Sequence, residues 1–361
     1  MKTKLIYRSI CLLCILLACC QTGFGRNLDV RETKEINKSF QWESTDEVEI
    51  SNKYGEITIT HWDRPEVAFR IVIEARARKK EIAQKTLERI SIRFSDAGNR
   101  LSAQTQIDDE NQSGLKWWNG NIEFKILYYV SLPSQAVCTM EQKYGNILML
   151  ERHEGDCRIS AKYGNIELGD LGGRLHIESK YGNVKFGDFT EAELTLGYSG
   201  NVIAGSGKQL KVDSKYSNTK ITSANTLDME MKYGNLEAET IGNLSLDSKY
   251  SNATIQRLQN SLSTPDFDYG KLRIKEVDAN FQLIDIDANY STVELNIPAR
   301  SSFAINAEGF RYGSFKIRGF DHQNVIHESE NDFHGEINGG KQGKLRFDGN
   351  DYSNLLIKSA N

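Results

Sequence analysis

The sequence predicts an all-β protein: a single-stranded parallel β-helix, or β-solenoid, of about 17–22 residues per coil, carrying an N-terminal β-rich cap with one short helix. One observation is a phrase that keeps returning. Lys-Tyr-Gly-Asn stands at 143–146, 162–165, 180–183 and 232–235, and Lys-Tyr-Ser-Asn at 215–218 and 249–252. Looser copies occur at Tyr198, Tyr269, Tyr290, Tyr312, Phe333 and Tyr352. A second observation is the spacing. From Tyr144 to Tyr250 the aromatic steps are 19, 18, 17, 18, 17 and 17 residues, and later steps lengthen to 19, 21, 22, 21 and 19. A third is the period-two alternation of apolar residues on both sides of each aromatic, which gives two short strands per coil.

The chain is 361 residues long, but in a solenoid length grows by stacking and does not count domains. Residues 1–25 read as an export signal: Lys2, Lys4 and Arg8 precede a short apolar run from Ile10 to Ala18, and Gly23-Phe24-Gly25 offers a cleavage site. The competing reading is a lipid anchor at Cys19, because Leu16-Leu17-Ala18-Cys19 resembles a bacterial lipobox; its leucine before the alanine fits less well. Either way the expectation is an exported protein of the periplasm, outer membrane or cell surface, with no transmembrane span in the mature chain. A formal charge of −4 gives none of the basic footprint of a nucleic-acid binder. Four of the six cysteines lie in the leader, so Cys138 and Cys157 do not make a disulfide framework.

Residues 26–135 form the predicted cap. A charged extended segment leads to an early copy of the repeat, Val48-x-Ile50, Lys53-Tyr54-Gly55 and Ile57-x-Ile59. One coil cannot bury its own face, so this copy must pair with another element. Strands are expected at 67–73, 90–94, 101–107 and 122–132, and an amphipathic helix at 79–90 on the spacing of Ile82, Leu87 and Ile90. Covering the open edge of a parallel stack is the plainest use for such an insert. Trp117 and Trp118 sit in loop-like sequence, and either pack back on the cap or form a stacking platform for sugar.

Residues 136–361 form the predicted array. Six residues before the aromatic stand Cys138, Cys157, Leu175, Ala192, Leu210, Leu227 and Leu244; four before, Met140, Ile159, Ile177, Leu194, Val212, Met229 and Leu246. Three and five after it the residues are again apolar, and a further inward position near eight after (Leu171, Phe189, Ile241, Leu258, Val277) closes the coil. About twelve coils at ~4.8 Å each would give a rod on the order of 50–60 Å. Crossover chirality makes right-handed winding the default. Gly or Ser and then Asn supply the corner's left-handed tolerance, and stacked Asn side chains form a ladder. Alternation points the tyrosines inward, as a buried aromatic ladder.

Candidate chemistry is sparse. Lys143, Lys162, Lys180, Lys215, Lys232 and Lys249 face outward beside an acidic column of Glu141, Glu178, Asp213, Glu230 and Asp247. That pattern keeps a face soluble; its functional reading is a cationic track for acidic glycan. Cys138 and Cys157 should be vertical core neighbours, either small apolar fillers or a strained disulfide. Asp266-Phe267-Asp268 and Asp285-Ile286-Asp287 offer a weak calcium pattern, outweighed by a charged strand face. The six histidines stand singly, and no nucleophile elbow, metal motif or phosphate loop is present. No catalytic, metal or cofactor site is expected.

The early coil, the mixed insert, Val130-Ser131-Leu132-Pro133 and the apolar-x-apolar…Gly-x-apolar repeats together resemble a bacterial family named "putative adhesin" domain of unknown function. The resemblance implies a secreted β-solenoid of the cell envelope or surface with no demonstrated enzyme activity. The expected function is non-catalytic binding of glycan, matrix or another envelope protein. A glycan-active enzyme on a β-helix, or a periplasmic structural or signalling accessory, are the alternatives.

Overall fold

The computed structural model describes residues 30–108, 122–350 and 352–360. The expected leader with Cys19, and Trp117 and Trp118, lie outside them. The fold is almost entirely β, with one helix, Lys80–Glu88, among the described residues. The chain divides into two compact units. The smaller comprises residues 30–35, 72–91, 106–108 and 122–125, and the larger comprises the remaining described residues.

In the smaller unit the expected helix is present and buries Ala83, Thr86 and Leu87. Its core includes a carboxylate, Glu74, which Arg31 grips and Lys125 approaches at 3.3 Å. Burial works to raise Glu74, but the hydrogen bonds from Arg31 and Lys125 outweigh it and hold the carboxyl below its ordinary range.

In the larger unit the repeat sets the architecture. Asn201–Lys215, Asn218–Lys232, Asn235–Lys249 and Asn252–Asp268 are successive long strands that pair in parallel, each residue lying on its equivalent one repeat later. Asn201, Asn218, Asn235 and Asn252 are in register, as are Leu210, Leu227, Leu244 and Leu262. The inward columns read from the sequence are buried throughout, from Cys138 and Met140 to Leu246 and Ile274. The early copy, Glu47–His61, lies directly on Val137–Met149, with Val48 opposite Cys138 and Ile57 opposite Ile147. The insert leaves after that first rung and returns to cover its open edge: Arg100–Ile107 and Ile122–Leu132 pair with the other side of Glu47–His61. Buried Asn52, Thr105 and Tyr128 are joined there by hydrogen bonds of 2.8 and 2.9 Å, and burial pushes the Tyr128 phenol well up.

At the far end the order in space departs from the order in sequence. The strand Asn354–Ala360 inserts between Thr292–Pro298 and Ser314–Arg318, and Gly343–Asp348 inserts between Leu283–Asn289 and Phe303–Glu308. The rung of residues 303–318 therefore lies beyond the rung of 343–360. Phe333, expected as a looser copy of the corner aromatic, is instead buried on Phe333–Ile337, which runs antiparallel to Phe303–Glu308 and to Gln323–Glu328. An antiparallel hairpin stops the parallel stack, because its strands cannot present the same register to a further rung.

Candidate functional site

The corner that organises the repeat is built differently from the sequence expectation. The tyrosines do not point inward. Eleven of them, from Tyr54 to Tyr352, take the left-handed backbone themselves, with φ between 49° and 61°. Such a conformation costs a non-glycine residue about 1–2 kcal/mol and turns its side chain away from the alternation of the flanking strands. Their rings are therefore 39–55 % exposed. The following glycine is present for lack of room. A Cβ at Gly145, Gly164 or Gly182 would stand 1.5–1.8 Å from the carbonyl oxygen of the corner glycine beneath it. Where serine replaces it, the side chain turns inward and is buried, and its Oγ accepts from a corner N–H of the neighbouring rung: Ser217 from Ser199, Ser251 from Gly234 and Ser291 from Gly270, at 2.9–3.1 Å.

Twelve rings stack in one continuous ladder: Tyr54, Tyr144, Tyr163, Tyr181, Tyr198, Tyr216, Tyr233, Tyr250, Tyr269, Tyr290, Tyr352 and Tyr312. Centroids lie 4.7–5.3 Å apart and planes within 20° of parallel. Stacking at about 0.5–1.5 kcal/mol per pair is comparable with the backbone cost, so the ladder offsets the strain of its corner without exceeding it. Because neighbours cover the ring faces, the exposed surface is a column of ring edges.

Charged and amide columns flank this ladder. Lys53, Lys143, Lys162 and Lys180 are in register, Gly197 breaks the column, and Lys215, Lys232 and Lys249 resume it. All six predicted lysines are at least partly exposed. Lys143 and Lys162 lie over their own tyrosines, 5.2 and 5.3 Å from the ring centroids. Lys215 and Lys232 pair with Asp213 and Glu230 of the acidic column, at 3.8 and 3.3 Å. Lys249 instead reaches Asp266 at 2.6 Å and Asp268 at 3.3 Å. The acid pairs weighed for calcium thus have partners within the chain, Asp287 with Asn350 at 2.9 Å among them. On the other flank the asparagine ladder is present. Asn146, Asn165 and Asn183 each accept, through Oδ1, the backbone N–H of the next residue in the column at 2.9–3.0 Å.

A second constellation lies in the core. Cys138 and Cys157 are vertical neighbours, as the spacing predicts, with both thiols free, buried and 2.9 Å apart. His153, fully buried, brings Nε2 to 3.7 Å from the Cys138 sulfur. Its Nδ1 lies 3.0 Å from His61 Nε2, and His61 Nδ1 faces Glu151 at 3.5 Å. A hydrogen bond between the two thiols draws Cys138 down to about 6 and pushes Cys157 well up. Desolvation, with His153 beside it, lowers His61. The expectation of isolated histidines is therefore corrected: stacking rungs brings together two that stand 92 residues apart. A signal was present, since His153 pairs with Leu171 in the column that otherwise reads Leu171, Phe189, Gly207.

No family model matches the chain, and no curated protein matches it. Solved structures it is similar to include a "putative cell adhesion protein" from Clostridium sporogenes ATCC 15579, at 11 % identity over 91 % of this chain and 100 % of that one, TM-score 0.19. A "putative adhesin" from Bacteroides fragilis NCTC 9343 aligns at 12 % identity over 91 % and 97 % of the two chains, TM-score 0.27. A "putative lipid binding protein" from Parabacteroides distasonis ATCC 8503 aligns at 11 % identity over the same shares, TM-score 0.29. Likeness at that level carries no argument about function, which rests on the residues. Among the described residues no helix is long and apolar enough to cross a membrane.

Proposed function

We propose that the parallel stack is a β-solenoid serving as a non-catalytic binding scaffold of the cell envelope or surface, and that its working face is the tyrosine corner with its lysine and asparagine flanks. The observation that carries this reading is the exposed ladder of twelve rings at 4.7–5.3 Å. A core would bury such aromatics, and a merely solvated face would not hold so many outward. A column that repeats one chemistry every rung suits an extended polymer with its own short repeat, because weak contacts then add along its length. Lysines on one side and amides on the other favour a glycan with hydroxyl and acidic groups. Neighbouring rings cover the ring faces along the ladder, so the contact is to ring edges.

The test is retention of acidic and neutral polysaccharides on the immobilised chain, with product analysis for cleavage. The expected result is retention of an acidic glycan, lost when Lys162, Lys180 and Lys215 are replaced by Gln, and weakened by Tyr181→Gly with Tyr216→Gly. Cleavage would replace this reading with the glycan-active enzyme. Failure of every glycan to be retained would leave the structural or signalling accessory.

A further inference from the structure

We propose that Cys138, Cys157 and His153 form a binding site for a thiophilic d10 metal ion, Cu(I) in preference to Zn(II). The three donor atoms lie within 4.8 Å of one another and all three residues are buried. An ion about 2.3 Å from each sulfur and about 2.0 Å from an imidazole nitrogen allows sulfurs up to ~4.6 Å apart and a sulfur–nitrogen distance up to ~4.3 Å. The observed 2.9 and 3.7 Å fall inside both limits. Seating the ion asks that the sulfurs part by about an ångström and that Cys157 and His153, within 4.8 Å of one another, close on the same point.

Hydrogen bonding behind the imidazole favours ligation. If His153 carries its proton on Nδ1, it donates to His61 Nε2 at 3.0 Å, and the Glu151 carboxylate lies 3.5 Å from His61 Nδ1 as an electrostatic neighbour. Glu151 is fixed by accepting the His61 backbone N–H at 2.8 Å. That chain leaves the His153 Nε2 lone pair aimed at the thiols. A metal-bound histidine is oriented in the same way by a carboxylate acting on its other nitrogen.

The columns supply an independent argument. The array places leucine or alanine at the cysteine position (Leu175, Ala192, Leu210) and leucine, phenylalanine and then glycine at the His153 position (Leu171, Phe189, Gly207), and all of these but Gly207 are buried. Hydrophobic filling was therefore available to this rung, yet polar, metal-ligating side chains from two columns face each other here. Two soft sulfurs and one imidazole, with no fourth side chain in the cluster among the described residues, suit Cu(I) better than Zn(II), which prefers four ligands.

The test uses the reduced full chain under anaerobic conditions. Cu(I) or Zn(II) is offered against a competing chelator, both to the native chain and during refolding, with bound metal counted by mass spectrometry and thiolate–metal absorption followed in the near ultraviolet. The expected result is one Cu(I) per chain with thiolate-to-metal absorption, and weaker Zn(II) retention. His153→Leu and Cys157→Leu, which copy the residues of neighbouring rungs and should therefore fold, abolish retention. His61→Ala, a positioning change, weakens it about 10–100-fold. Zn(II) held more tightly than Cu(I) would overturn the preference. Retention unchanged in His153→Leu, or no ion taken up by either route, would overturn the site itself.

Discussion

The tyrosine corner and the Cys138–His153–Cys157 cluster are both products of stacking, and they differ in how they treat the repeat. At the corner the same residue takes the same costly conformation on eleven rungs, and each ring is supported by the ring of a neighbouring rung. In the core the apolar columns are interrupted at the cluster: Val48 lies below Cys138 and Leu175 above Cys157, while His153 has Leu171 on one side and His61 on the other. Repetition gives the stack a uniform surface; interruption gives it a local chemistry. A stack of parallel rungs can carry such an interruption because each rung contacts chiefly its neighbours, and a defect in one does not spread to all.

The largest effect should come from removing the corner's clearance. Gly164→Val would drive side-chain atoms into the Gly145 carbonyl, 1.7 Å from the Cβ position, and is expected to cost more than ~4 kcal/mol in urea unfolding or to prevent cooperative folding. Next comes the contrast within one column. Leu171→His places an imidazole one rung from the cluster with no partner supplied and should cost about 3 kcal/mol, whereas His153→Leu, in metal-free protein, should stay within about 1 kcal/mol of wild type. Equal losses would mean that the cluster is ordinary packing. A smaller effect separates ring stacking from backbone strain: Tyr216→Ala should lose about 1–2 kcal/mol, and Tyr216→Gly should recover about 1 kcal/mol of it by accepting φ of 55°. Alanine equal to or better than glycine there would contradict the strained corner.

The smallest effect concerns the position where the asparagine ladder gives way to an ion pair. Lys271 occupies the asparagine column opposite Asn252 and bonds Glu294 at 2.7 Å, with Arg273 at 2.8 Å. The hydrogen bond from Lys271 lowers the Glu294 carboxyl, with Arg273 adding to it against partial burial. A carboxylate whose folded pKa is depressed stabilises the protein above its ordinary value near 4.3, and that contribution is lost as pH falls through the folded pKa. Wild type should therefore lose more stability than Glu294→Gln between about pH 5 and 3, measured by urea midpoints at each pH. Parallel pH curves would remove the ion pair from the account.

Much of this was readable from the chain. Period and alternation placed Leu210, Val212 and Ile255 inside and the asparagines at a corner, because a parallel in-register stack repeats one environment per column. Alternation failed at the tyrosines because it assumes extended backbone, and a left-handed residue resets which way the next side chains point. The histidine pair was not legible for a different reason. His61 and His153 become neighbours only because an insert of some 70 residues leaves the stack and returns to it, and no local pattern counts that detour. The same limit hid the crossing at the far end, where spacing alone places Tyr352 after Tyr312 although it stacks between Tyr290 and Tyr312.

That crossing has a consequence for how the molecule is made. Up to Pro298 each new rung finds a finished surface to settle on, so the stack can lengthen while the chain is still being synthesised or threaded. The next segment, Phe303–Arg318, meets no such surface, because its neighbours, Gly343–Asp348 and Asn354–Ala360, emerge some forty residues later. Growth by simple addition therefore stops at Pro298 and resumes when Gly343–Asp348 and Asn354–Ala360 settle on Leu283–Pro298 and offer Phe303–Arg318 its surface. In assembly this is a latch, closed last, and it joins the parallel rungs to the antiparallel hairpin that ends them.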